Sequence, residues 1–465
     1  TEFVVSDPAT GEIVDRVSAG SVREVDLAVE AACAAARPAW TEDAQRRSRV
    51  LMRWADRVAA HVEPIAELLT RENGKTLAES RVEVRASADA LRFAGGQARM
   101  LEGRSLTLAP AVYGEVTPEP LGVVALIVPW NWPLLLMARE LGPALAAGNT
   151  VVIKPASFTP LAVAEVVRLA ADEELPRGVL NVVLGPGRTV GEALVVHPGV
   201  DGISFTGDSS TGRRVMELAA GGIKKVLLEL GGKSPNLLFP DAPFEKAMPV
   251  LLRAMFGTAG QNCMAATRIL VHRDCYDMVR SRLVEGAEHV VVGPGLDPSS
   301  TMGPVISEQQ ADQIEAAVNA ARESGATVLC GGKRLRSGVL AKGHFYAPTI
   351  VEGAALSSSL VQHEIFGPVI ALERFDSEEE ALLLANGTRY GLVAGVWTRD
   401  HARAQRLARE IRAGTVWINT YLRTFAEAES GGMKASGLGR SRGRFGLYEY
   451  TELKHICSDV AGLSA

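Results

Sequence analysis

The chain is poor in cysteine. Its 465 residues hold five, Cys33, Cys263, Cys275, Cys330 and Cys457. The count is odd, no two stand at metal-ligand spacing, and the eight histidines include no His-x-x-x-His pair. A disulfide framework and a structural zinc are therefore not expected, no metal site is assigned, and the pattern fits a reducing compartment. No apolar run approaches the ~18 residues of a membrane span. Thr1-Glu2-Phe3 does not open a basic region followed by an apolar core. A membrane or secretory route is thus not expected, and the cytoplasm is. There is no basic block, and 49 Lys and Arg against 54 Asp and Glu leave a net charge of −5. Nucleic acid is excluded as an expected partner on that ground. No Gly-x-Gly-x-x-Gly stands between a strand and a helix.

What is present is periodicity. Val22, Val25, Ala28, Val29, Ala32 and Ala36 recur at three and four, with Ser21 and Glu24 placed as a capping box. Two longer helical patterns follow, over about 43–73 and 75–95. They are rich in Ala and Arg and read as a helical layer without chemistry. Prolines at 110, 118 and 120 make residues 102–122 an extended hairpin that cannot be a central strand. From Val123 onward, apolar runs over 123–128, 150–153, 179–183, 202–205 and 226–230 alternate with helical stretches, among them 134–147 and 161–174. Repeated strand-turn-helix units predict a doubly wound α/β sheet with ligands at the carboxyl ends of its strands. A second α/β series begins near Asp241. The last 25 residues, from Ser441, carry Tyr448, Tyr450 and Leu453 in alternation and end in a strand.

The candidate chemistry sits in the turns. Phe256-Gly257-Thr258-Ala259-Gly260-Gln261-Asn262-Cys263 delivers one thiol among small residues. Glu229 stands inside the apolar stretch 228–230, ahead of Gly231-Gly232. A thiol and a carboxylate in apolar surroundings are the parts of covalent catalysis with a general base. Asn131, between two tryptophans and two prolines, is held as an amide donor to an oxyanion would need to be. Gly185-x-Gly187-x-x-x-Gly191, Thr206-Gly207 and Gly231-Gly232 all fall at strand ends, which suggests a nucleotide laid across several strand termini. Each residue has a plainer reading: Cys263 as a small buried hydrophobe, Glu229 as the partner of a lysine, Asn131 as a turn-former, Lys154 as a loop charge.

Together these segments resemble the aldehyde dehydrogenase superfamily. The match runs through Pro129-Trp130-Asn131-Trp132-Pro133, Lys154-Pro155, Phe205-Thr206-Gly207, Leu228-Glu229-Leu230-Gly231-Gly232-Lys233, Gly260-Gln261-Asn262-Cys263 and Glu364-Ile365-Phe366-Gly367-Pro368. It ends on Gly431-Gly432-x-Lys434-x-Ser436-Gly437-x-Gly439-Arg440. The resemblance implies an NAD- or NADP-dependent oxidation of an aldehyde to the acid. Cys263 would be the nucleophile, forming a thiohemiacetal and then a thioester. Asn131 would stabilise the oxyanion, and Glu229 would activate the hydrolytic water. It also implies cofactor contacts from Ile127, Val128, Pro129, Trp130, Lys154, Ser157, Gly187, Gly191, Phe205, Thr206, Gly207, Leu230, Gly231, Glu364 and Phe366. The substrate pocket would be formed by Trp132, Leu135, Leu136, Arg139, Asn262, Met264, Arg423 and Phe425.

The implied organisation is a cofactor-binding domain of residues 1–101 and 122–231, a catalytic domain of 232–440, and a hairpin arm of 102–121 and 441–465. That arm implies a homodimer or homotetramer. Rivals are a CoA-acylating semialdehyde dehydrogenase and a non-catalytic relative with a binding or structural role. Several positions depart from the family pattern. Ser157 stands where many NAD-preferring relatives carry Glu, which removes repulsion of a 2′-phosphate. Asp208 replaces a usual Ser and is expected to weaken phosphate binding unless it points away or pairs with Arg213 or Arg214. Glu140 and Ser441 replace a Lys and a Glu of a buried proton route, so any proton exit from Glu229 takes another path. Arg139 is shared with relatives acting on carboxylated semialdehydes and some aromatic aldehydes, whereas 261–268 is closer to aminoaldehyde enzymes. The substrate stays open among these three.

Overall fold

Apolar runs flanked by amphipathic stretches become strands covered on both faces. The computed structural model describes residues 2–170 and 174–461. Thr1, 171–173 and 462–465 lie outside the described residues, including parts of the helix expected over 161–174 and of the arm expected to end at 465. The first sheet has six strands in the order Gly437–Leu438, Lys225–Glu229, Gly202–Thr206, Val123–Ile127, Thr150–Lys154 and Leu180–Val182. All pairs are parallel except the first, which is antiparallel. The strand order reverses between Val123–Ile127 and Gly202–Thr206, which opens a crevice beyond their carboxyl ends.

Alternate residues of one strand face different cores. Val123 and Ala125 pack with Val25, Val29 and Ala32 of the helix Val22–Ala35. Val124 and Leu126 pack with Leu51, Trp54, Leu91 and Leu141. The Ser21–Glu24 capping box is formed, with Ser21 N donating to Glu24 Oε2 at 2.7 Å. The helix expected over 43–73 is two helices, Ala44–Ala60 and Val62–Asn73. The backbone breaks at His61 (φ −110, ψ 27). Pro64 has no N–H for the Ala60 carbonyl, so it serves in a first turn and not in a helix interior.

The second sheet has seven strands, in the order Thr327–Cys330, Thr349–Glu352, Val369–Phe375, Arg268–His272, Pro235–Leu238, Val393–Trp397 and Thr415–Ile418. Its outermost pair, Thr327–Cys330 with Thr349–Glu352, is antiparallel and the others are parallel. The two sheets give the α/β architecture expected from the alternation of strand and helix patterns.

A third, three-stranded antiparallel sheet corrects the hairpin expectation. Val112–Pro120 is its central strand, between Arg104–Ala109 and Thr451–Asp459. The prolines still obey their chemistry. Arg104–Ala109 pairs only along Val112–Val116. Pro118 and Pro120 lie past its reach, opposite Leu453 and Thr451, where one side of the strand is free of a partner. The C-terminal alternation is likewise split: Tyr448 ends the helix Gly443–Tyr448, and the strand begins at Thr451.

One buried ion pair ties the second sheet together. Arg268, fully buried, donates from Nε and Nη2 to the two oxygens of Glu373, both at 2.7 Å, across adjacent strands. Removing one partner leaves an uncompensated buried charge, which costs about 3–5 kcal/mol. Arg268→Met should therefore lose about that much stability in chemical denaturation, and Arg268→Met/Glu373→Leu should recover most of it. Equal stability of the single and double variants would contradict this.

Candidate active site

Four turns at strand ends converge on one cleft of about 1110 Å³. That exceeds the ~300–1,000 Å³ of an ordinary small-ligand pocket. It opens where the first sheet's strand order reverses. Cys263, Glu229 and Asn131 all line it. So does every cofactor candidate named from the sequence apart from Ser157, whose hydroxyl donates to Gly185 O at 3.2 Å. Arg188, Gln310 and Gln313 also line it and were not anticipated.

The thiol is presented by a left-handed turn. Thr258, Ala259 and Gly260 have φ of 51, 52 and 69 in succession. A β-branched residue there is strained by about 1–3 kcal/mol, so the surroundings must enforce it. Glu79 Oε1 accepts from Thr258 N at 2.6 Å and from Thr258 Oγ1 at 3.2 Å. Gln261 Nε2 donates to Thr258 O at 3.0 Å, and its Oε1 accepts from Ile306 N at 2.9 Å. Gly260 is forced: a Cβ would stand 2.2 Å from Gly367 O. Burial pushes the Cys263 thiol up to about 12, Glu364 and Glu229 add to the rise, and Arg139 opposes it.

The Asn131 turn is held from behind. Lys75 Nζ donates to Asn131 O at 2.6 Å and pairs with Glu83. Glu83 Oε1 accepts from Leu134 N at 2.8 Å and Leu135 N at 3.2 Å, capping the helix Pro133–Ala146. Asn73 Nδ2 donates to Trp130 O at 2.7 Å. The Asn131 amide donates to Gln261 O at 3.0 Å, two residues before the cysteine. The N-terminal helical layer is thus not free of chemistry: Asn73, Lys75, Glu79 and Glu83 fix both catalytic turns. Glu83 alone carried a signal, as a polar residue on the buried stripe that holds Ser80, Val84 and Ser87.

Glu229 closes its strand, and burial raises its pKa while Arg139 lowers it. Arg139 is held between Glu140 (Nε–Oε1 2.7 Å) and Glu229 (Nη2–Oε2 3.7 Å). Glu140 also accepts from Ser441 Oγ at 2.5 Å and Tyr450 OH at 2.9 Å. Of the other substrate-pocket candidates, Leu136 lines the cleft. Trp132 lies against the Lys75 ammonium at 4.5 Å, Asn262 Oδ1 accepts from Met264 N at 2.9 Å, and Arg423 stacks on Phe425 at 5.5 Å.

The residues present fit a dinucleotide. Gly187 has nothing within 4 Å of where a Cβ would be, so backbone is open to the cleft. The Gly185–Gly191 stretch, expected as a turn, forms a π-helical turn over Gly187–Gly191 that runs into the helix Glu192–Val196. Among the described residues Lys154 donates only to Pro155 O, at 2.7 Å, which leaves N–H groups for a phosphate or hydroxyl. Burial lowers it to about 8. Asp208 pairs with neither Arg213 nor Arg214. It is the N-cap of the helix Ser209–Ala220, accepting from Ser210 N at 2.9 Å and Thr211 N at 3.0 Å. Its charge is thereby committed to the helix terminus. Glu364 accepts from Gly232 N at 3.0 Å, and burial raises it to about 7.

The chain is similar to known proteins over nearly its whole length. A betaine aldehyde dehydrogenase of Bacillus subtilis (strain 168) is 40% identical over 455 residues, covering 97% of this chain and 93% of that protein. The crystal structure of betaine aldehyde dehydrogenase from Staphylococcus aureus, in complex with NAD+, superposes with a TM-score of 0.97 at 37% identity, covering 99% of this chain and 92% of that one. The sequence profile described as "Aldehyde dehydrogenase family" matches residues 1–456. The chain belongs to the aldehyde dehydrogenase family.

Proposed function

We propose that the protein oxidises an aminoaldehyde to the corresponding acid with NAD+ or NADP+, through a covalent intermediate on Cys263. The observation that carries this reading is the convergence of Cys263, Asn131 and Glu229 on one dinucleotide-sized cleft. The aminoaldehyde class is supported by 40% identity to a betaine aldehyde dehydrogenase. A carboxylated semialdehyde is disfavoured because the Arg139 guanidinium is already balanced by two carboxylates.

The Cys263 thiol gives its proton to solvent, and the thiolate sulfur attacks the aldehyde carbon. The resulting oxyanion receives hydrogen bonds from the Asn131 side-chain amide and the Cys263 backbone N–H. When bound, the nicotinamide cofactor supplies the two-electron acceptor, leaving the acyl group on sulfur as a thioester. The Glu229 carboxylate then takes a proton from water. The hydroxide attacks the acyl carbon, the carbon–sulfur bond breaks, and the acid leaves. A buried carboxylate in this position suits hydrolysis and not transfer to CoA. Trp130, Lys154, Thr206, Gly207, Glu364 and Phe366 would hold the cofactor.

Residues 102–121 with the C-terminal strand would form an oligomerisation arm. Leu108, Tyr113, Leu453 and Ile456 are exposed on that sheet, and an exposed apolar sheet invites a partner. The proposed domain division, 1–101 with 122–231 and 232–440, is supported by the two large sheets, with Gly437–Leu438 crossing over as an edge strand of the first.

Growth of NAD(P)H absorbance with betaine aldehyde and ω-aminoaldehydes, set against succinic semialdehyde and benzaldehyde, tests the substrate class. A preference for succinic semialdehyde would reject it. Cys263→Ala should abolish turnover, and Asn131→Ala should lower kcat about 10²–10³-fold. Full turnover in Cys263→Ala would end the covalent reading. Ser157 carries no charge to repel a 2′-phosphate, and Lys154 and Arg188 line the cleft. NADP should therefore be used with kcat/KM within about tenfold of NAD, a difference of ~1.4 kcal/mol; no turnover with NADP would contradict this. Light scattering should give two or four times the chain mass, and a monomer would remove the arm's proposed role.

A further inference from the structure

The proposed chemistry uses Glu229 but not the charges packed behind it. The Glu229 and Arg139 side chains are almost wholly buried, and their ion pair closes at 3.7 Å. Glu229 Oε1 and Arg139 Nη2 are both buried without a hydrogen-bond partner. One carboxylate oxygen therefore faces the arginine and the other is uncommitted. Arg139 cannot swing away, because Glu140 holds its Nε at 2.7 Å. Glu140 in turn accepts from Ser441 Oγ at 2.5 Å and Tyr450 OH at 2.9 Å. A buried arginine locked on one side by a saturated carboxylate turns its free edge toward Glu229, with the Cys263 thiol also within its field.

We propose that Arg139 is a positioning residue for the Glu229 carboxylate, fixing Oε2 and leaving Oε1 to act on water, with Glu140, Ser441 and Tyr450 as its anchor. The inference rests on Glu229 being the hydrolytic base. The groups facing Glu229 are Arg139 and Glu140 from the helix Pro133–Ala146, Arg440 and Arg442 from the C-terminal segment, and Cys263 from the thiol turn. Burial raises the Glu229 pKa, Glu140 adds to the rise, and the three arginines lower it. Arg139 makes the largest of those favourable contributions. Its loss must leave the carboxyl protonated to higher pH. An opposite charge at this range is worth about 1–3 pH units.

p-Nitrophenyl acetate provides a test without cofactor. Its acetyl group transfers to the Cys263 sulfur with release of p-nitrophenolate, seen as a burst. Hydrolysis of the resulting thioester sets the steady rate. The steady rate per burst-active site, followed against pH, isolates the base from loss of folded protein. Arg139→Gln should keep a burst and move the rising limb of the deacylation profile upward by about 1–3 pH units. Arg139→Lys should return it most of the way. Glu140→Gln, which loosens the anchor, should slow deacylation more than acylation. An unshifted limb in Arg139→Gln, or equal shifts in the Gln and Lys variants, would overturn the proposal. So would equal slowing of both steps in Glu140→Gln. Glu229→Gln separates the two readings. Loss of its steady rate with the burst kept upholds the base even where the Arg139 limb stays put. A full steady rate in Glu229→Gln overturns the base, and with it the role of Arg139.

Discussion

Two backbones meet at Gly260 and Gly367 more closely than any side chain would allow, and the site depends on that contact. The turn carrying Gly260 places Cys263; the turn carrying Gly367 follows Glu364 and Phe366, which line the cleft. Because a Cβ at 260 would stand 2.2 Å from the Gly367 carbonyl, the two turns are fixed relative to each other. Phe366 is itself left-handed, with φ of 56. The strain of Thr258, Ala259 and Phe366 is local, and the hydrogen bonds that hold it come from far along the chain, Glu79 above all. The same close approach recurs at Gly231, where a Cβ would stand 2.2 Å from Glu364 Oε2.

The second organising feature is buried charge with a stated task. An unpaired charge in a protein interior is expensive, so each of these carboxylates serves backbone or a cation. Glu72 accepts from Leu161 N and Ala162 N at 2.8 and 2.9 Å, capping one helix. Glu83 caps another and pairs with Lys75. Glu140 takes three donors. Glu229 is the exception: one of its oxygens has no partner. A buried carboxylate with one oxygen left uncommitted at the wall of the cleft is free to accept a proton from a reactant, which a carboxylate bonded through both oxygens is not.

Five strands of the first sheet, over 123–128, 150–153, 179–183, 202–205 and 226–230, were legible as largely apolar runs, and the turns that carry Cys263, Glu229, Asn131 and Lys154 were legible from small residues and prolines at strand ends. Three things were not. The break at His61 was hidden by continuous helical periodicity, although Pro64 marked it. The pairing of residues 451–459 with 112–120 was implied only by the family resemblance, which joins 102–121 with 441–465, and no local pattern signals it or makes 112–120 the central strand. The support given by Asn73, Lys75 and Glu79 was not legible, because none of them lies on the buried stripe of the helix Leu77–Gln97. Their burial is decided by the partners they meet, not by their own segment. Arg139 was legible as a position but not as a contact: its place between Glu140 and Glu229 required Ser441 and Tyr450 to be folded against the same helix.

The order in which those pieces leave the ribosome matters. Gly437–Leu438 completes the edge of a sheet whose other strands lie within 123–229, and Thr451–Asp459 pairs along the whole of Val112–Pro120. Ser441 and Tyr450, which hold the Glu140–Arg139 pair, come from the same late stretch. During synthesis the first sheet can begin to form while the chain grows, yet Glu140 lacks two of its three donors until Ser441 and Tyr450 have been made. The residues of the thiol turn thus precede in synthesis the two donors that complete the anchor behind Glu229.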